Sequence, residues 1–241
     1  MREFWRACPE AVNFVFLGEA GCGKSEIALN AAHALLERGD KPVHFFDMDM
    51  TKPLFRSRDV CQELEGAGVI VHYEEQFMDA PTLASGVQRL LRDRDCYVVM
   101  DVGGDYIGAR SIGGFAPLLN REESAVYYVV NSYRPWSMDL AHIDGVLSQT
   151  LGVSHIELKR LRFIGNPNLG LHTRQSDVTD GIAQLREVLG GCVSIDFFCV
   201  GEDLCEGLPE KDEIQSIQIY LTYPWERGLY LDNEETKREK E

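Results

Sequence analysis

Gly18, Gly23, Lys24 and Ser25 stand at the spacing G-x-x-x-x-G-K-S, a set of residue types that can grip a polyphosphate. Gly18, Gly21 and Gly23 carry no side chains, so the backbone can curl there and bring several N–H groups close to phosphate oxygens. Lys24 supplies a point charge for the outer oxygens, and Ser25 offers its hydroxyl to Mg²⁺. Cys22 and Glu26 lie inside and just after this loop and are counted with it as nucleotide-binding positions. For Cys22 two readings stand side by side: a thiol acidified by Lys24 and a helix N-terminus, or a small side chain at a variable position. At average residue usage, four fixed positions coincide in a chain this long roughly one time in a hundred. Context therefore has to decide. A dinucleotide fingerprint starting at Gly21 would need glycine at position 26, where the chain has Glu26.

Three acids extend the chemistry to a metal and a water. Asp101 ends the run Cys96-Tyr-Val-Val-Met and opens Asp101-Val-Gly-Gly, a D-x-x-G arrangement. A carboxylate there can hold Mg²⁺ through water, while the Gly104 amide senses a terminal phosphate and orders its loop. Asp47 and Asp49 close another apolar run, and an i, i+2 pair on extended backbone points to one side. Lys24, Asp49 and Asp101 are thus the candidates for acting on the reaction, and Ser25, Asp47 and Asp101 for holding the metal.

The elements that would position these residues are legible as well. Val12 to Leu17 reads as a buried strand, and Ser25 to Arg38 keeps helical spacing up to Gly39 as C-cap. A strand, a glycine turn and a helix in that order aim N–H groups and the positive helix end at one point. Further strands are expected from Pro42 to Met50, Val69 to Tyr73, Cys96 to Gly104, Ala125 to Asn131, Leu161 to Gly165 and Val193 to Val200. Helices are expected around Val60, over Pro81 to Arg92, in part over Ile107 to Leu119, over Met138 to Leu151, and over Asp177 to Leu189 with Ser176 or Asp177 as cap. Ile214 to Tyr220 is an element of undetermined type. This alternation predicts an α/β fold, three layers α/β/α around a mainly parallel sheet. Residues 1–231 form one nucleotide-binding domain in this reading, and 232–241 a charged, disordered tail. Ligands of such sheets bind beyond the C-terminal strand ends, and the stretches 18–25, 47–49, 101–104, 131–135 and 166–170 all follow strands.

Composition removes several classes. The net charge of −15 opposes nucleic-acid phosphate and anionic membrane surfaces. No apolar run approaches the ~18 residues of a membrane span, and Met1 to Glu10 lacks a secretory core, so a cytoplasmic protein is expected. The seven cysteines show no C-x-x-C spacing and read as reduced thiols. A metal shared by Cys192, Cys199 and Cys205 stays open at this point.

Phosphate loop, acidic second strand and D-x-x-G loop together resemble the SIMIBI class of P-loop NTPases, and within it the MinD/ParA-like branch with its CooC-type relatives. The resemblance spans about Val12 to Leu189. It implies ATP and Mg²⁺ as ligands, Asp47 and Asp49 in a first switch, Asp101 and Gly104 in a second, and Asn166 at the adenine. It also implies a nucleotide-dependent homodimer as one state open to the chain. One position departs from the pattern. The branch usually carries an extra lysine just after the first glycine, reaching the partner's phosphates, and this chain has Glu19. Either the dimer-coupled mechanism is absent, or Arg56, Arg58, Arg110 or Arg134 replaces that lysine. Without a substitute turnover should be slow, since a transition-state cation is worth ~10³–10⁵ in rate. No [NT]-K-x-D tetrad reads guanine, which favours ATP.

Three functions fit these residues. One is an ATPase switch acting on a protein partner, with metalloenzyme or cofactor maturation as one setting for it. Another is a small-molecule kinase or ATP-dependent ligase resembling dethiobiotin synthetase, with Arg134 or His172 holding an anionic substrate. The third is a nucleotide-binding scaffold without turnover.

Overall fold

The computed structural model describes residues 1, 3–49, 61–72, 81–208 and 213–221. In chain order the strands are β1 (Asn13–Gly18), β2 (Val43–Met48), β3 (Ile70–His72), β4 (Tyr97–Val102), β5 (Ser124–Val130), β6 (Leu161–Gly165), β7 (Ile195–Gly201) and β8 (Ile214–Ile217). The helices are α1 (Lys24–Arg38), α2 (Cys61–Ala67), α3 (Pro81–Arg92), α4 (Tyr106–Ser111), α5 (Ala116–Leu119), α6 (Leu140–Ser154) and α7 (Gln175–Leu189).

The strands form one eight-stranded sheet in the order β3-β2-β4-β1-β5-β6-β7-β8. Every neighbouring pair is parallel. β1, β4 and β5 are buried at each residue, which explains why they read as unbroken apolar runs. Alternate residues then feed two separate cores. Phe14 and Phe16 of β1 pack with Ile27, Ala28 and Leu35 of α1. Val15 and Leu17 face the other way, into a core with Leu91 of α3, Leu119 of α5, and Ile143 and Leu147 of α6. Each such buried Val, Leu or Phe contributes about 1.5–3 kcal/mol. The expected three-layer α/β/α architecture is what the chain adopts.

The order places β1 between β4 and β5: the chain runs from β1 to β2 on one side, and after β4 it crosses β1 to build the other half of the sheet from β5. The crevice above the C-terminal end of β1 is the switch point where open α/β sheets bind ligands. Asp47 and Asp101 stand side by side there, paired in register between β2 and β4.

Some boundaries differ from expectation. The stretch 107–119 breaks into α4, a 3-10 turn at Gly113–Phe115, and α5. Helix α7 begins earlier than expected, and Asp177 serves from inside its first turn, accepting a hydrogen bond from the Arg174 N–H at 2.8 Å. The element of undetermined type is β8, followed by an extended strap. The candidate arginines Arg56 and Arg58 and the tail 232–241 lie outside the described residues. Among the described residues no helix is long and apolar enough to cross a membrane.

Candidate functional site

The turn from β1 to α1 is built as a cradle. Gly23 has φ +94°, a left-handed conformation that side chains resist, and a Cβ there would collide with the Asn166 amide. That amide donates from Nδ2 to the Cys22 carbonyl at 2.7 Å, fastening the loop to the end of β6. Asn166 Oδ1 is buried without a hydrogen-bond partner, an acceptor left for something else.

Lys24 is 4% exposed, and its ammonium lies 3.7 Å from Asp49 Oδ2. Burial works against its charge, but Asp101, the Cys22 thiol and Asp49 together outweigh burial and hold its pKa above the ordinary value. Asp101 responds in the opposite sense. Burial, with Asp47 and Asp49 nearby, pushes its pKa up to about 7, although Lys24 and the Ser25 hydroxyl favour the charged form. Its Oδ1 is buried and unpartnered. Asp47 Oδ1 accepts the Asp49 N–H at 3.2 Å, so the two acids bend one turn together.

The D-x-x-G loop lies directly on the cradle. A Cβ on Gly104 would stand 2.5 Å from the Ala20 nitrogen, so only glycine fits while these backbones touch. Asp105 caps α4 by accepting from the Gly108 N–H at 2.8 Å, which fixes where the loop ends. Loop and cradle are therefore in contact.

A cleft of about 410 Å³ opens over these groups, lined by Gly21, Gly23, Lys24, Ser25, Glu26, Asp49, Arg134 and Asn166, with Asn131, Asn168, Leu169, Leu171 and the strap residues Ile217, Ile219 and Leu221. Among the expected residues, Gly21, Gly23, Lys24, Ser25, Asp49 and Asn166 meet here. Gly18 supports the loop from beneath, and Asp47 and Asp101 stand behind it at the strand ends.

Three residues have other surroundings than expected. Glu26 borders the cleft, but its carboxylate accepts backbone N–H groups of Tyr220 and Leu221. Cys22 is 1% exposed, and burial raises its thiol pKa, outweighing Lys24, so the acidified-thiol reading does not hold. Glu19 points into a buried place: desolvation lifts its carboxyl to about 6, and Oε2 has no partner. Of the four arginines, Arg134 reaches the cradle, donating from Nε to the Gly21 carbonyl at 2.7 Å, whereas Arg110 is exposed on α4.

The sequence locates the stretches 131–135 and 166–170 but not the lattice between them. Asn131 donates to the Asn168 carbonyl at 2.8 Å and accepts the Tyr133 N–H at 2.9 Å. The strap escapes sequence reading altogether. Its one signal is Asn30 and Glu26 on the face of α1 that meets it: Asn30 donates to and accepts from the Gln218 backbone, both at 2.8 Å.

Asp47 and Asp49 crowd Asp101, and the Lys24 ammonium faces Asp49 and Asp101, an arrangement that fits an additional cation. Among the described residues no three His, Cys, Asp or Glu side chains converge to hold a metal by themselves. This removes the Cys192, Cys199 and Cys205 option; Mg²⁺, which keeps waters and takes substrate phosphate oxygens beside one or two protein ligands, needs no such cluster.

No protein-family model matches the chain, and no curated protein matches it in sequence. Solved structures do. FlhF complexed with GMPPNP and Mg²⁺ superposes with a TM-score of 0.54 at 14% identity, over 80% of this chain and 67% of that one. Chloroplast FtsY from Physcomitrella patens superposes with a TM-score of 0.50 at 16% identity, over 80% of this chain and 59% of that one, so this chain spans less than two thirds of it. At such identities the likeness establishes the fold alone, a helix-flanked parallel sheet of the P-loop NTPase kind. The MinD/ParA-like branch suggested by the sequence gains no support, because the neighbours are FlhF and FtsY.

Proposed function

We propose that the chain is a Mg²⁺–nucleoside triphosphate switch of the cytoplasm that acts on a protein partner, with ATP as the nucleotide. One observation carries the reading. The D-x-x-G loop rests on the phosphate cradle at Gly104 and Ala20 while Lys24 bridges toward Asp49 and Asp101. A terminal phosphate entering between these groups competes with the carboxylates for Lys24 and pushes on Gly104. Loop position and nucleotide state are then the same variable.

Each residue has a chemical task. Backbone amides from Gly21 to Ser25 and the Lys24 ammonium hold the phosphate tail. Ser25 and Asp101, with Asp47, would hold Mg²⁺, which when bound neutralises charge on the phosphate oxygens. Asp49 orients water, after Lys24 has turned from it to the phosphate. Leu169, Leu171 and Ile219 stand exposed at the rim and offer apolar surface to a base.

The choice of ATP follows from the hydrogen-bonding groups at that rim. Guanine presents N–H donors at N1 and N2 that a carboxylate would meet. The carboxylates lining the cleft are Glu26, turned to the strap backbone, and Asp49, beside Lys24. The unpartnered Asn166 Oδ1 suits the amino group of adenine. FlhF was solved with GMPPNP, so competition between ATP and GTP is the deciding measurement.

The partner is inferred from surface chemistry. Tyr106 and Ile107 on α4, and Trp136, Met138 and Leu140 at the start of α6, are large apolar side chains left 40–64% exposed. Both groups follow loops that line or touch the cradle, where a nucleotide-dependent contact with a protein belongs. The acidic balance disfavours nucleic acid and membrane as partners.

Calorimetry with Mg-ATP and Mg-GTP, followed by steady-state phosphate release, tests the reading. We expect micromolar binding that requires Mg²⁺, ATP preferred, and slow turnover indifferent to metabolites. Stoichiometric phosphoryl transfer to a small molecule would establish the kinase reading instead, and binding without any phosphate release the scaffold.

A further inference from the structure

We infer that Arg134 is a phosphate-contacting residue, supplying from within the same chain a second cation for the nucleotide's phosphate tail. The inference rests on the nucleotide reading of the cleft and adds to it a residue that neither the phosphate-loop spacing nor the D-x-x-G spacing contains.

The backbone at Arg134 is held from both sides. Its N–H donates to the Asn131 carbonyl at 3.1 Å, and its carbonyl accepts the Ser137 N–H at 2.9 Å. The turn before it is pinned by the Tyr133 hydroxyl, which donates to the Asp177 carbonyl at 2.5 Å. The side chain leaves this fixed base toward the cradle. It places Nε on the Gly21 carbonyl and lines the cleft that holds Lys24, Ser25 and Asp49.

The charge environment says what such a group is for. Arg38, Arg94, Arg162 and Arg186 each pair with a carboxylate, to Asp40, Glu123, Asp196 and Glu213. Arg134, like Arg110, Arg121, Arg160 and Arg174, has no such partner among the described residues, and of these it is Arg134 that lines the cleft. An unpaired guanidinium beside a phosphate cradle is a site for an anion. The Lys24 ammonium is already drawn toward Asp49 and Asp101, so a second cation at the cleft adds charge for the phosphate tail.

Geometry leaves the guanidinium able to do both jobs. Nε is committed to Gly21, which leaves the four Nη–H donors for phosphate oxygens. Arg134 thus braces the cradle through one nitrogen and presents its charge through the others. Bracing and charge can be separated by substitution. Arg134→Gln retains an N–H donor for the Gly21 carbonyl and removes the charge; Arg134→Lys keeps the charge.

The test measures affinity for Mg-ATP by calorimetry on the full chain, with thermal melting as a check of folding. Loss of charge-assisted bonds predicts that Arg134→Gln binds roughly 10- to 100-fold more weakly, at an unchanged melting temperature, and that Arg134→Lys recovers most of the loss. The affinity of the wild type should also fall more steeply with salt than that of Arg134→Gln. Wild-type affinity in Arg134→Gln would overturn the inference and leave Arg134 as a brace alone. Failure of the wild-type chain to bind Mg-ATP or Mg-GTP is a different result: it removes the nucleotide reading itself, and Arg134 with it.

Discussion

Two clefts of nearly equal size lie at opposite ends of the sheet, one of about 410 Å³ above the phosphate cradle and one of about 420 Å³ beneath the starts of β7 and β8. Volume does not tell them apart; charge does. In the lower cleft Arg186 is matched to Glu213 at 2.6 Å and lies over the Phe198 ring at 5.4 Å. At the upper cleft Lys24 faces Asp49 and Asp101, and Asp101, crowded by Asp47 and Asp49, has its Oδ1 left unpartnered. A closed account of charges marks a place where the chain holds itself together. An open one marks a place that a ligand completes.

The sharpest way to break this contrast is Lys24→Ala. Calorimetry should show Mg-ATP affinity falling ~10²-fold or more, since several charge-assisted bonds go at once. Unchanged affinity would mean the upper cleft is as self-contained as the lower one.

Next in size is the pH dependence of stability. The folded-state pKa of Asp101 is raised to about 7 from an ordinary 3.8, mainly by burial. Between those values the folded chain holds a proton that the unfolded chain has released. The nucleotide-free protein should therefore lose stability as pH rises from about 4 to about 7 and level off above. The loss is of the order of a few kcal/mol. Asp101→Asn should flatten that slope and raise stability at pH 8, read by urea unfolding at a series of pH values. Persistence of the full slope in the variant would assign it to other groups. Bound Mg²⁺ and nucleotide should oppose the slope, because they favour the charged carboxylate.

The smallest effect is expected below. Arg186→Ala should cost less than about 1 kcal/mol, as a half-exposed pair with one ring contact does, and should leave nucleotide affinity where it was. A large loss of affinity would join the two clefts energetically and remove the contrast.

How far the sequence carries depends on whether a signal is local. The cradle is readable because glycines, Lys24 and Ser25 act within eight consecutive residues, and the central strands because burial on both faces makes them apolar throughout. Strand order is not readable: nothing in the run 124–130 says that it lies beside β1 and opposite β4. The same reason hides which arginine reaches the cradle, since Arg110 and Arg134 both follow strands and differ only in three dimensions. Glu26 is assigned to nucleotide by sequence because it adjoins Ser25. It does line the cleft, and its carboxylate also accepts the N–H groups of residues 220 and 221, nearly 200 positions away in sequence, which no local signal announces. Asp177 is expected as a cap, and the structure puts its carboxylate on the Arg174 N–H from within the helix, a shift of register that propensity does not resolve.

The clasp between α1 and the strap has a mechanical corollary. Glu26 and Asn30 hold residues 218–221 as a neighbouring strand would, and His33 stacks on Tyr220 at 4.7 Å. The strap 218–221 is thus tied to the first turns of the helix that opens at Lys24. A pull on the strap arrives at Glu26, one peptide bond from Ser25 in the cradle.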